Sequence, residues 1–203
     1  MTASLHITGG RLIDGTGAAA QLADVVIDGD EIVAVGSDAG AHPAAASATV
    51  IDAAGATVIP GLIDCHVHST FDDVQSNDEL FFHRDPTMVS LVAAQNFQKL
   101  LRAGVTSFVD PDTAHGVGPA LRDAIEAGVI TGPRMKTGVQ ALLTSVGGTA
   151  GRLIPDEGTV GYAQIVNSVD EVITWTRRHI KYGADWIKTV SYTHLTLTTT
   201  PYV

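Results

Sequence analysis

His66 and His68 are separated by one residue at the end of an apolar run, IPGLIDCHVH, over residues 59–68. Side chains two apart in a strand point to the same face, so a strand ending here would place both imidazoles side by side. Neutral imidazole is a common ligand of zinc and other first-row metals. The pair therefore suggests a metal site, with two incidental histidines as the alternative. Asp64 shares their face and is either a supporting group or a capping or solvated carboxylate.

The elements that must position this pair follow Pro60 as an alternation of strands and helices. We predict helices from a cap at Asp85 up to Gly104, over VGPALRDAIEAG, and over residues 169–182. We predict strands over GLIDCHVH, VTSFVD, RMKTGV and DWIKTV. Four such units indicate a doubly wound sheet or the first half of a (β/α)8 barrel, and the active sites of barrels lie at the carboxyl ends of their strands. No Gly-rich phosphate loop follows the first strand, which disfavours the doubly wound alternative.

Residues 5–58 show a different pattern, with short alternating or apolar runs broken by turn residues. The segment DVVIDGDEIVAVG predicts two strands joined at Asp28, Gly29 and Asp30, because Asp-Gly suits a tight hairpin. We therefore predict a small β domain before the strand and helix alternation.

Composition limits the class of protein. The chain has 203 residues, is 45% hydrophobic and 17% charged, and carries a formal net charge of -10 without a Lys/Arg-rich run. These values favour a globular protein and give no support to a nucleic-acid or membrane partner. With one cysteine, no basic and apolar leader and no long apolar run, we expect a cytoplasmic protein that binds a small molecule or peptide.

Several segments together resemble the amidohydrolase superfamily, in its imidazolonepropionase and Xaa-Pro dipeptidase-like branch. In chain order they are GGRLIDGTG, DVVIDGDEIVAVG, TVIPGLIDCHVH, AGVTSFVD, ALRDAIEAG, TGPRM and YGADWIK. The resemblance implies an α/β fold in which residues 60–190 form the first half of a TIM barrel. It also implies that residues 1–59 form the N-terminal part of a β-sandwich. The Thr-rich tail, 191–203, departs from this pattern, and we interpret it as a truncation or frameshift.

The same resemblance implies the metal ligands. His66 and His68 match the first-strand ligands, and Lys188 matches a lysine that is carboxylated to bridge two divalent ions, with zinc the expected metal. A buried lysine loses its preference for the charged form, so its amine can react with carbon dioxide. Without the resemblance, Lys188 would be expected to reach water or to pair with Asp185. Two further histidines and an acid/base aspartate are expected beyond the chain end, and His194 in the tail is no safe substitute.

The expected reaction is hydrolysis of an amide or related C–N bond by a metal-activated hydroxide. The resemblance implies a dipeptide-like, N-acyl or cyclic amide substrate, and homo-oligomerisation stays open. The alternative is a catalytically incomplete fragment with weak or no metal binding, and we expect the 203-residue chain by itself to be inactive.

Other polar residues are weaker candidates. His115 is a candidate substrate contact, with an exposed loop histidine as the alternative. Thr149 stands where the branch frequently has a histidine that contacts substrate, which puts the substrate subclass in doubt. Asp110 and Asp112 lie at the end of the second predicted strand, where the branch more often shows Arg-Asp, and Asp110 is the candidate for that aspartate.

Four other residues are predicted to have structural or solvated roles. We interpret His83 and Arg84 as a surface pair, and we expect His179 to be solvated on the polar face of its helix. Cys65 is expected to be a small core residue, because it faces away from the two histidines.

Overall fold

The computed structural model describes residues 4–76, 79, 83–145, 147 and 155–190, which form a mixed α/β structure. The tail 191–203, with His194, and Thr149 lie outside the described residues. The chain divides into two compact units between Pro60 and Gly61. In the described part, no helix combines the length and apolar character needed to cross a membrane.

The first unit is a five-stranded sheet. Its strands are β1 (Leu5–Leu12), β2 (Gln21–Asp28), β3 (Glu31–Gly36), β4 (Thr49–Asp52) and β5 (Thr57–Val58). The order is β3-β2-β1-β4, and β5 also pairs with β1. β1, β2 and β3 are antiparallel neighbours, whereas β4 and β5 run parallel to β1.

The predicted hairpin between β2 and β3 is confirmed. Asp28 pairs with Glu31, and Gly29 between them has a φ of 66°, a conformation that glycine adopts without steric cost. Leu12, Ala23 and Val25 form the buried cluster of this unit.

Among its described residues, the second unit has two parallel three-stranded sheets and three α-helices. The first sheet has the order β6 (Leu62–Asp64), β7 (Val105–Asp110) and β8 (Arg134–Thr137). In the second sheet, β9 (Ala141–Leu143) lies between β10 (Ala163–Ile165) and β11 (Thr189–Val190). The helices are α1 (Pro86–Arg102), α2 (Gly118–Glu126) and α3 (Val169–Lys181).

The helices begin and end where their sequence signals predict. The Asp85 carboxylate accepts the Met88 N–H at 2.8 Å, so it caps α1 before Pro86. Gly104, with a φ of 83°, follows α1, and Gly183, with a φ of 91°, follows α3.

The main core of the second unit joins α1 and α2 to one face of the first sheet. Phe97 from α1 packs against Phe108 from β7, with ring centroids 5.6 Å apart. Leu121 from α2 and Met135 from β8 belong to the same buried cluster. The helices therefore cover one face of the strands, as expected for parallel β/α units.

Three predicted strands, GLIDCHVH, RMKTGV and DWIKTV, are shorter than expected, and the second of them ends at Thr137. The first ends at Asp64, because the Asp64 carboxylate accepts the His66 N–H at 3.1 Å and turns the backbone out of the ladder. The segment 185–190 is a strand in its last two residues, since the Asp185 N–H bonds to the Thr137 carbonyl at 2.7 Å before β11 begins. β9 and β10 were not predicted, because runs of three residues are too short to show a period.

Three side-chain predictions were wrong. Cys65 is exposed, since it follows β6, which is the edge strand of its sheet and pairs with β7 alone among the described strands. His179 is 1% exposed and lies edge-on to Trp175. Arg84 is 9% exposed, because its guanidinium forms ion pairs with the acidic side chains Asp72, at 2.7 Å, and Glu79, at 2.9 Å. His83 is exposed as predicted.

Candidate metal centre

The structure brings the imidazoles of His66 and His68 together, immediately after β6. Their Nε2 atoms are 3.3 Å apart, and the rings meet at an interplanar angle of 68°. Two nitrogen ligands of a tetrahedral zinc ion, each about 2.0–2.1 Å from the metal, would lie about 3.3–3.4 Å apart. The spacing of the two Nε2 atoms therefore suits a shared ion.

Lys188 lies on the same cavity as the two histidines. This cavity of about 160 Å³ is lined by His66, His68, Asp112, Leu143, Tyr162, Lys188 and Val190. A larger cavity of about 540 Å³, lined partly by Ser107, Arg134 and Lys136, includes neither His66 nor Lys188. The smaller cavity is therefore where the candidate ligands from both sheets meet.

The backbone of Lys188 is held by the second sheet, because the Leu142 N–H donates to the Lys188 carbonyl at 2.9 Å. Asp185, the expected alternative partner of its side chain, is engaged elsewhere. The Asp185 carboxylate accepts bonds from Arg122 at 2.9 Å and from Lys136 at 3.0 Å. Lys188 is half-buried and is therefore placed for a role in the cavity, not in that ion-pair network.

The turn after His68 is held by groups from two distant elements. The Ser69 N–H and hydroxyl donate to one oxygen of Asp110 at 2.9 and 2.6 Å. The Asn96 amide of α1 donates to the carbonyls of Ser69, at 2.9 Å, and Phe71, at 2.7 Å. Sequence reasoning did not identify Asn96 or Ser69, because bonds between residues 25 to 41 positions apart have no local signal.

Two buried carboxyl groups lie at the carboxyl end of β7, Asp110 as its last residue and Asp112 two residues later. Burial raises the pKa of Asp110 to about 7, against the lowering effect of the bonds from Ser69. Burial also raises the pKa of Asp112, and the charges of His68 and Lys188 oppose that rise. Asp112 lies beside His68, with its Oδ1 3.6 Å from the Nδ1 of that ring.

Neither of the remaining described candidates, His115 and Asp64, lines the cavity of the histidine pair. His115 Nε2 lies 2.7 Å from the Arg84 carbonyl, and His115 does not line the cavity that contains Lys188. The Asp64 carboxylate bonds to the His66 N–H, so it acts as a backbone cap. Thr149 is outside the described residues.

The donors in the described residues can form part of a metal site. Two imidazoles converge at ligand spacing, and Lys188 could add an anionic oxygen if carboxylated. No three or more His, Cys, Asp or Glu side chains in the described ranges are grouped closely enough to hold an ion. The fit therefore depends on the two histidines together with Lys188.

Comparisons with known proteins find that this chain is similar to hydrolases. A model described as the amidohydrolase family matches residues 57–201. Ochratoxinase of Aspergillus niger is 30% identical over 203 residues, which cover 91% of this chain and 41% of the relative.

Two similar solved structures are a prolidase complexed with N-methylphosphonate-L-proline and a Xaa-Pro dipeptidase with bound methionine. The prolidase has a TM-score of 0.73 and 28% identity, covering 92% of this chain and 46% of its own. The dipeptidase has a TM-score of 0.70 and 28% identity, covering 92% of this chain and 47% of its own. The chain thus spans less than half the length of these relatives.

Proposed function

Because the chain belongs to the amidohydrolase family, we propose that it carries part of the active site of a metal-dependent hydrolase of amide or related C–N bonds. The observation that carries this proposal is the 3.3 Å spacing of the His66 and His68 Nε2 atoms in a cavity shared with Lys188. The names of ochratoxinase and prolidase among the relatives support the reaction class.

The proposed roles follow from the positions of the side chains. His66 and His68 would hold a divalent ion, expected to be zinc, through their Nε2 atoms. Lys188, once carboxylated, would bridge this ion to a second one, as the family resemblance implies. Bound ions would supply Lewis acidity and lower the pKa of a water toward neutrality. The bonds from Asn96 and Ser69 would keep the turn after His68 in place.

The wider assignment is also a proposal. We expect residues 60–190 to form the first half of a TIM barrel and residues 1–59 to form part of a β-sandwich. The parallel strands with helices on one face support the first expectation. We expect a dipeptide-like, N-acyl or cyclic amide substrate and a cytoplasmic location.

A second candidate is that the 203-residue chain is catalytically incomplete and binds metal weakly or not at all. The observation in its favour is that the described residues contain no cluster of three or more His, Cys, Asp or Glu ligands. The two candidates differ in zinc binding and in hydrolysis.

The test is calorimetric titration of the chain with zinc alone, together with metal analysis of the loaded protein. We expect stoichiometric binding that is lost in His66→Ala and His68→Ala, and weakened in Lys188→Ala. His83→Ala, which removes an exposed histidine outside the cavity, is the matched control and should bind zinc normally.

Hydrolysis of N-acyl amino acids and dipeptides is then measured on the same preparations. Turnover that is absent in His66→Ala and kept in the control His83→Ala would establish the hydrolase proposal. Stoichiometric zinc without turnover would support the metal site and agree with the expected inactivity of the 203-residue chain, whereas the absence of stoichiometric zinc would favour the incomplete-site candidate. Equal zinc binding in all four variants would contradict the proposed ligands.

A further inference from the structure

Asp112 is a buried carboxylate without an assigned role in the cavity. Its residue is 3% exposed, and its Oδ1 has no hydrogen-bond partner in the described part of the chain. A buried acceptor without a partner is costly, so its presence requires a physical explanation. Asp112 lines the same cavity as His66, His68 and Lys188.

The ring of His68 has a different neighbour at each of its two nitrogens. Its Nε2 faces His66 at 3.3 Å. Its Nδ1 faces Asp112, with the backbone oxygen at 3.4 Å and the carboxylate Oδ1 at 3.6 Å. A neutral imidazole carries one N–H, and two acceptor oxygens near Nδ1 favour the form in which that nitrogen is protonated. The lone pair of Nε2 is then free on the side of the ring that faces His66.

The backbone around Asp112 is held firmly. The Thr113 N–H and hydroxyl both donate to the Val139 carbonyl, at 2.9 and 3.0 Å. A Cβ at Gly138 would lie 1.9 Å from the Pro111 carbonyl oxygen, so the segment before Asp112 packs tightly against that glycine. These contacts fix the position from which the carboxylate approaches His68.

We propose that Asp112 is a positioning residue that holds His68 with Nδ1 protonated, so that Nε2 is available to a divalent cation. This inference rests on the proposed function. A cation on Nε2 would withdraw electron density from the ring and strengthen the attraction between the Nδ1–H and the carboxylate. The lack of a partner for Oδ1 is then explained, because this oxygen would interact with the Nδ1–H of His68 most strongly when a cation is bound.

The test compares Asp112→Asn and Asp112→Leu with the unmodified chain. Asp185→Asn is the matched control, because Asp185 bonds to Arg122 and Lys136 and does not line the cavity. Long-range ¹H–¹⁵N NMR of the metal-free chain measures which nitrogen of His68 is protonated, and calorimetry with zinc alone measures Kd. We expect the Nδ1–H form in the unmodified chain. In Asp112→Leu, where the backbone oxygen of residue 112 remains as an acceptor, we expect a smaller share of that form and a zinc Kd raised about 10- to 100-fold. Asp112→Asn should give an intermediate result, since its amide oxygen still accepts a hydrogen bond.

The outcomes separate this inference from the function on which it rests. An unchanged His68 tautomer in both variants, with a Kd within about twofold of the control, would overturn the role of Asp112. If the unmodified chain binds no zinc, the proposed metal centre fails, and the metal-free NMR measurement still decides whether Asp112 sets the tautomer. If Asp112→Leu does not fold, the nearly isosteric Asp112→Asn is used instead, and its His68 tautomer and zinc Kd test the role of Asp112.

Discussion

The Nε2 atoms of His66 and His68 lie 3.3 Å apart although neither residue belongs to a strand. The two imidazoles still point the same way, because the Val67 N–H between them donates to the Val109 carbonyl at 2.9 Å and keeps this segment beside β7. The candidate site is therefore built on a short extended segment followed by a turn, and both depend on anchoring groups.

Asp110→Asn should remove a pH dependence of stability. The pKa of Asp110 is raised to about 7 in the folded chain, against about 3.9 for an unperturbed aspartate. The folded state therefore holds a proton that the unfolded state releases, and this carboxyl group makes stability fall as pH rises from about 4 to 7. Asparagine resembles the protonated acid, so the variant should gain stability relative to the parent at pH 8, by up to about 4 kcal/mol.

Urea unfolding of Asp110→Asn and the parent at pH 4.5 and pH 8 measures this effect. The difference between the two proteins should fall to about 1 kcal/mol at the lower pH. Asp123→Asn changes an exposed carboxylate and should show little difference at either pH. A difference for Asp110→Asn that is the same at both pH values would contradict the assignment.

His179→Leu should make the chain less sensitive to acid. Burial lowers the pKa of His179, and neither ring nitrogen has a hydrogen-bond partner among the described residues. The unfolded state therefore takes up a proton more readily, and stability from this group is lost as pH falls below about 6.5. The variant should gain about 1 kcal/mol at neutral pH and more at pH 5.5.

Thermal or urea midpoints of His179→Leu at pH 7.5 and 5.5 measure this difference, with the exposed His83→Leu as the control. A gain that does not increase toward low pH would show that His179 is not held neutral in the folded chain.

Asn96→Leu should loosen the turn that carries His68. This change removes the bonds to the Ser69 and Phe71 carbonyls, and we expect it to cost about 1–2 kcal/mol and to weaken zinc binding. Gln98→Leu is the matched control on the same helix, since the Gln98 amide donates to the Thr131 carbonyl at 2.7 Å, outside the cavity. Zinc titration of both variants is the measurement, and an equal zinc affinity would show that the turn does not depend on Asn96.

Gly138→Ala should disturb the segment that carries Asp112. The added Cβ would meet the Pro111 carbonyl oxygen at 1.9 Å, so the backbone must shift, at a cost of about 2–3 kcal/mol. Gly128→Ala provides the comparison, because its φ of 69° makes alanine strained but no atom lies within 4 Å of the new Cβ. It should cost about 1–2 kcal/mol and leave zinc binding unchanged. Equal effects of the two changes on stability and zinc affinity would contradict the tight packing at Gly138.

Predictions from the sequence succeeded where the signal is local. A cap at Asp85, a turn at Gly29 and the period of α1 each act within a few residues, so the chain specifies them without distant partners. The same local reasoning gave wrong predictions of which polar side chains are buried. Arg84 is buried because of ion pairs with Asp72 and Glu79, and His179 is buried by its packing, which helical periodicity did not indicate.

The sequence by itself determined the parts of the candidate site that depend on spacing. Residues two apart in extended chain share a face, and this puts His66 beside His68 wherever the segment lies. The tertiary structure decided that Lys188 and Asp112 lie on the same cavity, and that Asp112 faces the Nδ1 of His68. The physical reason is that segments next to parallel strands of two sheets converge there, and the distance between residues far apart in the chain is set by packing.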